Sequence, residues 1–400
     1  MKKNMKIVTA LMAIGLVSPM AYATNGDQMM AVGSQSSALG GTGVANYMGA
    51  DSAWANPAML GKSKGSEVIG GINIFAPTVT NTGMPALAGT KQTSSAATNY
   101  IPDVSYSSRI SDSLSYGIAM AGIAGMGVDY TGAPTTHIKA KTVMSILRVM
   151  PTIAYNNKDY GVGFSPILQY GSLMLSYDST AAGGGKYNPD QSADTSTGFG
   201  FALGGYYNVT PDMTVGASYQ SEVAAKYGTQ ISKAGALFGV TPAFKDDLNQ
   251  PSEIKLGVAY TMSSVTLTAD YKSIMWGSAA GYKDFNWKNQ SVVAVGAKYA
   301  GNGYWLGLGY NQTDDPIAET AAGSANGDQI DFFNNLLFPA IVKSSYTLGG
   351  GYDISKAMAI EASVVITPEV TKTVAVPNFL GNNTTTHSQQ SMSLSLRYKF

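Results

Sequence analysis

The sequence predicts an all-β protein, a transmembrane barrel of fourteen antiparallel strands, and three observations carry that prediction. Hydrophobic residues make up 44% of the 400 residues while charged residues make up only 12%, roughly half the share of about 25% found in soluble domains. After residue 23 no run of about 18 apolar residues occurs, which excludes a bundle of membrane-spanning helices. From about residue 64 onward, segments of about 10 to 14 residues alternate apolar and polar positions, the period and length of a tilted strand crossing a bilayer.

The first 23 residues read as a secretory signal peptide. Lys2, Lys3 and Lys6 precede the apolar stretch "IVTALMAIGLV", and Ala21-Tyr22-Ala23 supplies a small-x-small cleavage site. Residues 24–62 do not alternate and are rich in Gly, Ala and Ser. A periplasmic tail, an extra strand pair and a plug in the lumen all fit that composition.

The strands start near residues 64, 99, 113, 142, 160, 197, 213, 251, 264, 290, 302, 343, 356 and 389. Every second one ends on a tyrosine beside a short polar or glycine turn: Tyr106, Tyr155, Tyr207, Tyr260, Tyr299, Tyr352 and Tyr398. A soluble meander has no reason to put an aromatic at one end of each hairpin, whereas a barrel needs an aromatic girdle at the interface. Longer connections are expected at 77–98, 126–141, 178–196, 228–250, 276–288, 313–342 and 368–388, on the opposite, extracellular rim.

The faces divide accordingly. Val265, Leu267, Ala269 and Tyr271 oppose Thr266, Thr268, Asp270 and Lys272; Ile254, Leu256 and Val258 oppose Glu253 and Lys255. Charges in mid-strand are tolerable only toward a polar lumen. The last strand, "SMSLSLRYKF", alternates to the terminal Phe400. An even number of closed strands leaves no edge in lipid, where each unpaired backbone group costs several kcal/mol.

The run Gly40-Gly41-Thr42-Gly43-Val44-Ala45, followed by Asp51-Ser52-Ala53 and Asn56-Pro57-Ala58, resembles the hatch of the outer-membrane long-chain fatty-acid and aromatic-hydrocarbon transporters of FadL/TodX type. The strand count, the aspartates of "GYNQTDDPI" and Phe400 agree with that layout. The resemblance implies an N-terminal hatch over 24–62 that plugs a barrel over 63–400, in the bacterial outer membrane among phospholipid and lipopolysaccharide. It further implies a monomer that takes up a hydrophobic small molecule passively: extracellular capture, transfer to a site beside the hatch, lateral release through a gap at a kinked strand. Phe400 would then serve as the signal read by the barrel-assembly machinery.

Candidate site residues follow. In the hatch, Asn56 can bond neighbouring backbone, Pro57 holds Asn56 extended, and Ala58 keeps bulk low; an Asn-Pro turn into the first strand is the simpler role. Gly122 and Gly125, in "GIAMAGIAGMG" of the third strand, are candidates for the kink. Arg148 sits in mid-strand on the face of Ile146 and Met150, where it can hold a ligand carboxylate or, more simply, pair with a luminal acid such as Asp270 or Glu222. Where the family often has Lys-Asp-x-x-Arg entering the tenth strand, this chain has Lys288-Asn289-Gln290-Ser291-Val292, leaving Lys288 as the cation and a neutral hydrocarbon as an open alternative to a fatty acid. Leu237 and Phe238 in one loop and Phe332 and Phe333 in another are apolar candidates for a ligand groove, or for loops folded inward over the barrel mouth.

Other functions have little support. The histidines are His137 and His387, neither in a nucleophile motif nor at metal-ligand spacing, and cysteine is absent, so no enzyme, metal site or cofactor is expected. A net charge of zero gives no footprint for nucleic acid. A general diffusion porin or a surface adhesin on a similar barrel is the alternative.

Overall fold

The computed structural model describes residues 24–85, 91–134, 137–180, 183–321, 323–324 and 326–400. The expected signal peptide lies outside the described residues. Fourteen strands form the wall: β1 (Glu67–Asn81), β2 (Asn99–Arg109), β3 (Leu114–Asp129), β4 (Lys139–Asn156), β5 (Tyr160–Asp178), β6 (Asp194–Thr210), β7 (Met213–Gln220), β8 (Glu253–Met262), β9 (Val265–Ile274), β10 (Gln290–Ala300), β11 (Tyr304–Thr313), β12 (Ser344–Asp353), β13 (Met358–Val376) and β14 (Gly381–Lys399). Each pairs antiparallel with the next. β14 closes on β1 from Lys399↔Glu67 to Thr385↔Asn81, so the barrel is complete and the strand count matches the alternation.

Leu256, Leu267, Leu306, Leu308 and Leu348 point outward, while Glu253, Asp270, Glu361 and Arg397 point inward and are buried. The outward face meets hydrocarbon and the inward face meets polar partners, as period-two alternation requires. The tyrosine girdle is present: Tyr155, Tyr207, Tyr260, Tyr299, Tyr352 and Tyr398 are all exposed near the short turns. Tyr106 is half-buried because its ring lies between Tyr116 and Phe400, at 5.8 and 6.3 Å between centroids.

One expected loop is a correction. The segment 368–388 continues the β13–β14 ladder to Val376↔Gly381, and β14 begins at Gly381 rather than near residue 389. The stretch reads as polar, yet its Val and Thr residues favour strands, and Val374, Val376 and Thr385 are buried against neighbouring chain.

Two bodies occupy the lumen. Residues 24–62 fold inside the barrel as a two-residue strand pair (Thr24–Asn25 with Gln28–Met29), a short helix α1 (Ser34–Ala38) and 3₁₀ turns at Asp51–Trp54 and Pro57–Lys62. Above them, helices α2 (Gln230–Leu237) and α3 (Gly327–Leu337) and the turn region 276–287 pack an aromatic cluster into the mouth.

Candidate functional site

Asn56 fastens the hatch to the wall. Its backbone is extended (φ −155°, ψ 111°) and Pro57 opens the following 3₁₀ turn, so the Asn side chain caps that turn, Oδ1 accepting from the Ala58 N–H at 3.0 Å. Its Nδ2 donates to the Val44 carbonyl at 2.7 Å and to the Gly205 carbonyl of β6 at 3.0 Å. One fully buried side chain thus satisfies both its donors and an acceptor.

The wall facing the hatch is paved with glycine. Side chains at Gly163, Gly204, Gly216, Gly257, Gly296, Gly309 and Gly349, one each on β5, β6, β7, β8, β10, β11 and β12, would begin closer than 3.0 Å to hatch atoms of Leu39, Gly40, Val44, Asn56, Pro57, Ala58 or Ala38. These seven glycines therefore serve close approach of the wall to the hatch rather than turns. Single alternating patterns cannot reveal this, because each contact joins residues distant in sequence.

Barrel polar groups complete the attachment. Asp270 Oδ2 accepts from the Gly43 and Val44 N–H groups at 2.7 and 3.0 Å. Thr347 Oγ1 donates to the Ala38 carbonyl at 2.8 Å, and Asn311 Nδ2 to the Gly40 carbonyl at 3.0 Å.

A cavity of about 80 Å³ lies between hatch and wall. Met29, Met30, Trp54 and Ile123 line one part of it, and Arg148, Glu253, Lys255, Asp270 and Lys272 another. Arg148 does not pair with Asp270 or Glu222. Asp270 is held by the hatch backbone and Glu222 accepts from Asn249, so Arg148 donates instead from Nε to Gln169 Oε1 at 2.9 Å, leaving Nη2 buried without a partner among the described residues. Glu253 is paired with Lys255 at 3.2 Å.

The third strand is irregular where glycine suggested it. The β2–β3 ladder stops at Asp103↔Ala121, and the β3–β4 register shifts between Gly122 and Ala124. Beyond that point the hatch takes over the edge: Gln28 pairs with Ala124, and the Gly125 N–H donates to the Asp27 carbonyl at 2.9 Å. Gln28 and Ile123 both line the cavity, so cavity and interval are contiguous.

The loop candidates separate. Phe238, Phe332 and Phe333 are buried in one ring cluster, Phe238 at 5.4 Å from each of the other two, while Leu237 beside them is exposed. The apolar loops thus fold inward and close the mouth. Lys288 is exposed and away from the cavity, because β10 begins two residues later with Gln290 turned inward. Sequence reasoning missed the link from this plug to the hatch: Tyr282 donates to Asp27, Gln250 Nε2 donates to the same Oδ2 at 3.2 Å, and Gly26 (φ 68°) leaves room for Trp276. The histidines are structural. His137 sits against the Ile138 carbonyl at 2.7 Å and His387 against the Pro339 carbonyl at 2.7 Å.

Comparisons with known proteins agree with this architecture. The family model described as "Outer membrane protein transport protein (OMPP1/FadL/TodX)" matches residues 16–400. Among solved structures, the chain is similar to the Pseudomonas putida toluene transporter TodX (TM-score 0.70, 18% identity, covering 93% of this chain and 99% of that one). It is also similar to the Ralstonia pickettii toluene transporter TbuX (0.66, 19%, 93% and 99%) and to a Pseudomonas aeruginosa FadL homologue (0.67, 16%, 94% and 100%). Comparison with curated protein sequences found no match. With a closed fourteen-stranded barrel and a family match spanning nearly the whole chain, this protein belongs to the OMPP1/FadL/TodX family of outer-membrane transport proteins and is not an enzyme.

Proposed function

We propose that the protein carries hydrophobic small molecules, long-chain fatty acids or aromatic and aliphatic hydrocarbons, passively across the outer membrane and releases them sideways. One observation carries the reading: the interval between β2 and β3 is closed by Asp27 and Gln28 of the hatch rather than by wall, and it opens directly onto the cavity. A ligand captured at the aromatic mouth would enter the cavity, and withdrawal of the two hatch residues would let it leave toward lipid without crossing the periplasmic rim. Leu237 is an exposed apolar residue at the capture end; Phe238, Phe332 and Phe333 would have to part to admit a ligand.

The closed cavity is too small as it stands. At about 80 Å³ it falls short of the roughly 150 Å³ that accommodates benzene in a protein core, so entry requires the flexible Met29 and Met30 to swing aside or the hatch to shift. The unpartnered Arg148 Nη2 favours a ligand with a carboxylate, because a neutral hydrocarbon would leave that donor buried and unsatisfied.

Uptake of labelled oleate and of labelled toluene by cells with and without the protein tests this. The proposal expects saturable, protein-dependent uptake of at least one, with oleate uptake falling on Arg148→Met. No saturable uptake of either compound would sink it. Bilayer conductance separates the porin alternative: intact protein should be nearly closed, and deletion of residues 24–62 should make it leak.

A further inference from the structure

We propose that the barrel wall is built to yield between β4 and β5, and that the cavity grows at this seam to take the apolar part of a ligand. The β4–β5 ladder runs from Lys139↔Asp178 to Val149↔Leu168, and resumes in the same register from Ile153↔Phe164 to Asn156↔Gly161. Among the described residues, Met150, Pro151 and Thr152 between these stretches form no backbone rung with β5. The shared register sets Pro151 directly opposite Pro166. Proline has no N–H, so two prolines face to face remove both hydrogen bonds that such a pair would exchange, and with them the rungs on either side.

The break is confined to one line of the wall. Pro151 keeps its pairing with Ile118 of β3, and Pro166 keeps its pairing with Phe201 of β6. Both prolines are exposed on the lipid-facing side, inside strands that have a neighbour on each edge. Proline is ordinarily kept to sheet edges and bulges, and a wall in lipid pairs its backbone groups because no water replaces a lost bond. Stability gives no reason to put two prolines there. On the lumen side a side-chain bond spans the break, Thr152 Oγ1 to Ser165 Oγ at 2.7 Å.

What lies behind the seam gives it a use. Met150 and Ile167, turned inward at the break, pack with Ala202, Val223 and the hatch residue Trp54. Trp54 lines the cavity, as does Arg148, the next inward residue of β4. Trp54 Nε1 is buried without a partner among the described residues, so packing rather than hydrogen bonding holds the ring against the seam. The cavity of about 80 Å³ is short of the roughly 150 Å³ that accommodates benzene. Outward movement of β4 and β5 at the break would carry Met150 and Ile167 away from Trp54 and extend the cavity beside Arg148. An acyl chain or ring would lie there with its carboxylate on Arg148, a placement that rests on the transport reading above. Rungs on both sides keep the seam closed to lipid, so it makes room and is not a second exit.

Hydrogen exchange in lipid nanodiscs tests the seam without any ligand. Peptides covering 149–153 and 164–168 are expected to exchange at least tenfold faster than 360–364 of β13, which is paired throughout on both edges. Replacing both prolines, Pro151→Val with Pro166→Val, restores the donors and should remove the difference; equal protection in the intact protein would overturn the seam. Uptake of labelled oleate tests its use. A disulfide between Thr152→Cys and Ser165→Cys should lower uptake at least fivefold on oxidation, reversibly with dithiothreitol, whereas one between Thr373→Cys and Thr384→Cys, paired across β13 and β14, should change nothing. The double valine variant should also lose at least fivefold, which covers a cysteine pair that fails to assemble. Undiminished uptake by the oxidised and valine variants would overturn the ligand role alone. No uptake by the intact protein would overturn that role together with the transport reading, while exchange would still decide the seam.

Discussion

Asn56 and Gly204 illustrate how much of the hatch rests on single residues. Removing the Asn56 amide leaves the buried Val44 carbonyl without its partner, about 1–3 kcal/mol, and cuts the tie to the Gly205 carbonyl of β6. Asn56→Ala is expected to loosen the hatch and raise bilayer conductance above the intact level. Gly204→Ala should do the same by a different route, since its new methyl would overlap Asn56 Oδ1. The two defects share one spot, so the double variant should leak less than the sum of the singles; strict additivity would show that the contact is unimportant. Asn56 was legible as a capping residue because Asn-Pro is a local signal. Gly204 was not, because its partner is 148 positions away and nothing local marks a glycine that faces another backbone.

Among elements, β3 is the one whose irregularity has a functional reading. The extra residue between Gly122 and Ala124 breaks the ladder at the height where β2 stops pairing and Gln28 begins. Deleting Ile123 should restore register with β4, straighten β3 and let the β2–β3 ladder extend. Uptake of whichever labelled substrate the intact protein carries is then expected to fall to background, while heat-modifiable mobility on gels shows the barrel still folded. Undiminished uptake would mean that ligands leave by another route. The strands themselves were readable because a period of two persists through each, and Gly122 and Gly125 flagged the third as unusual. The loops were less so: Phe238, Phe332 and Phe333 look alike in sequence to the exposed Leu237, and only tertiary packing turns them into a plug. Lys288 stands where the alternation put it, just ahead of β10, but that it is exposed there rather than turned to the cavity is decided by tertiary packing.

For the whole molecule, closure and plugging meet at the seam. Arg397, which the alternation of "SMSLSLRYKF" places on the polar face, is buried and bridges Glu67 of β1 to Glu361 of β13, while its Nη2 donates to the Met48 carbonyl of the hatch at 3.2 Å. The strand that completes the barrel thereby also holds the plug. Fold and plug could be anticipated from patterning and resemblance; the seam network could not, as it unites four separate stretches of chain. The central claim is that Asp27 and Gln28 must move for a ligand to leave. The chain has no cysteine, so a disulfide between Gln28→Cys and Ala124→Cys, which face each other across an antiparallel bridge, can lock them without background. Uptake of labelled oleate or toluene should be lost on oxidation and restored by dithiothreitol; equal uptake by the locked and reduced forms would contradict lateral release through this interval.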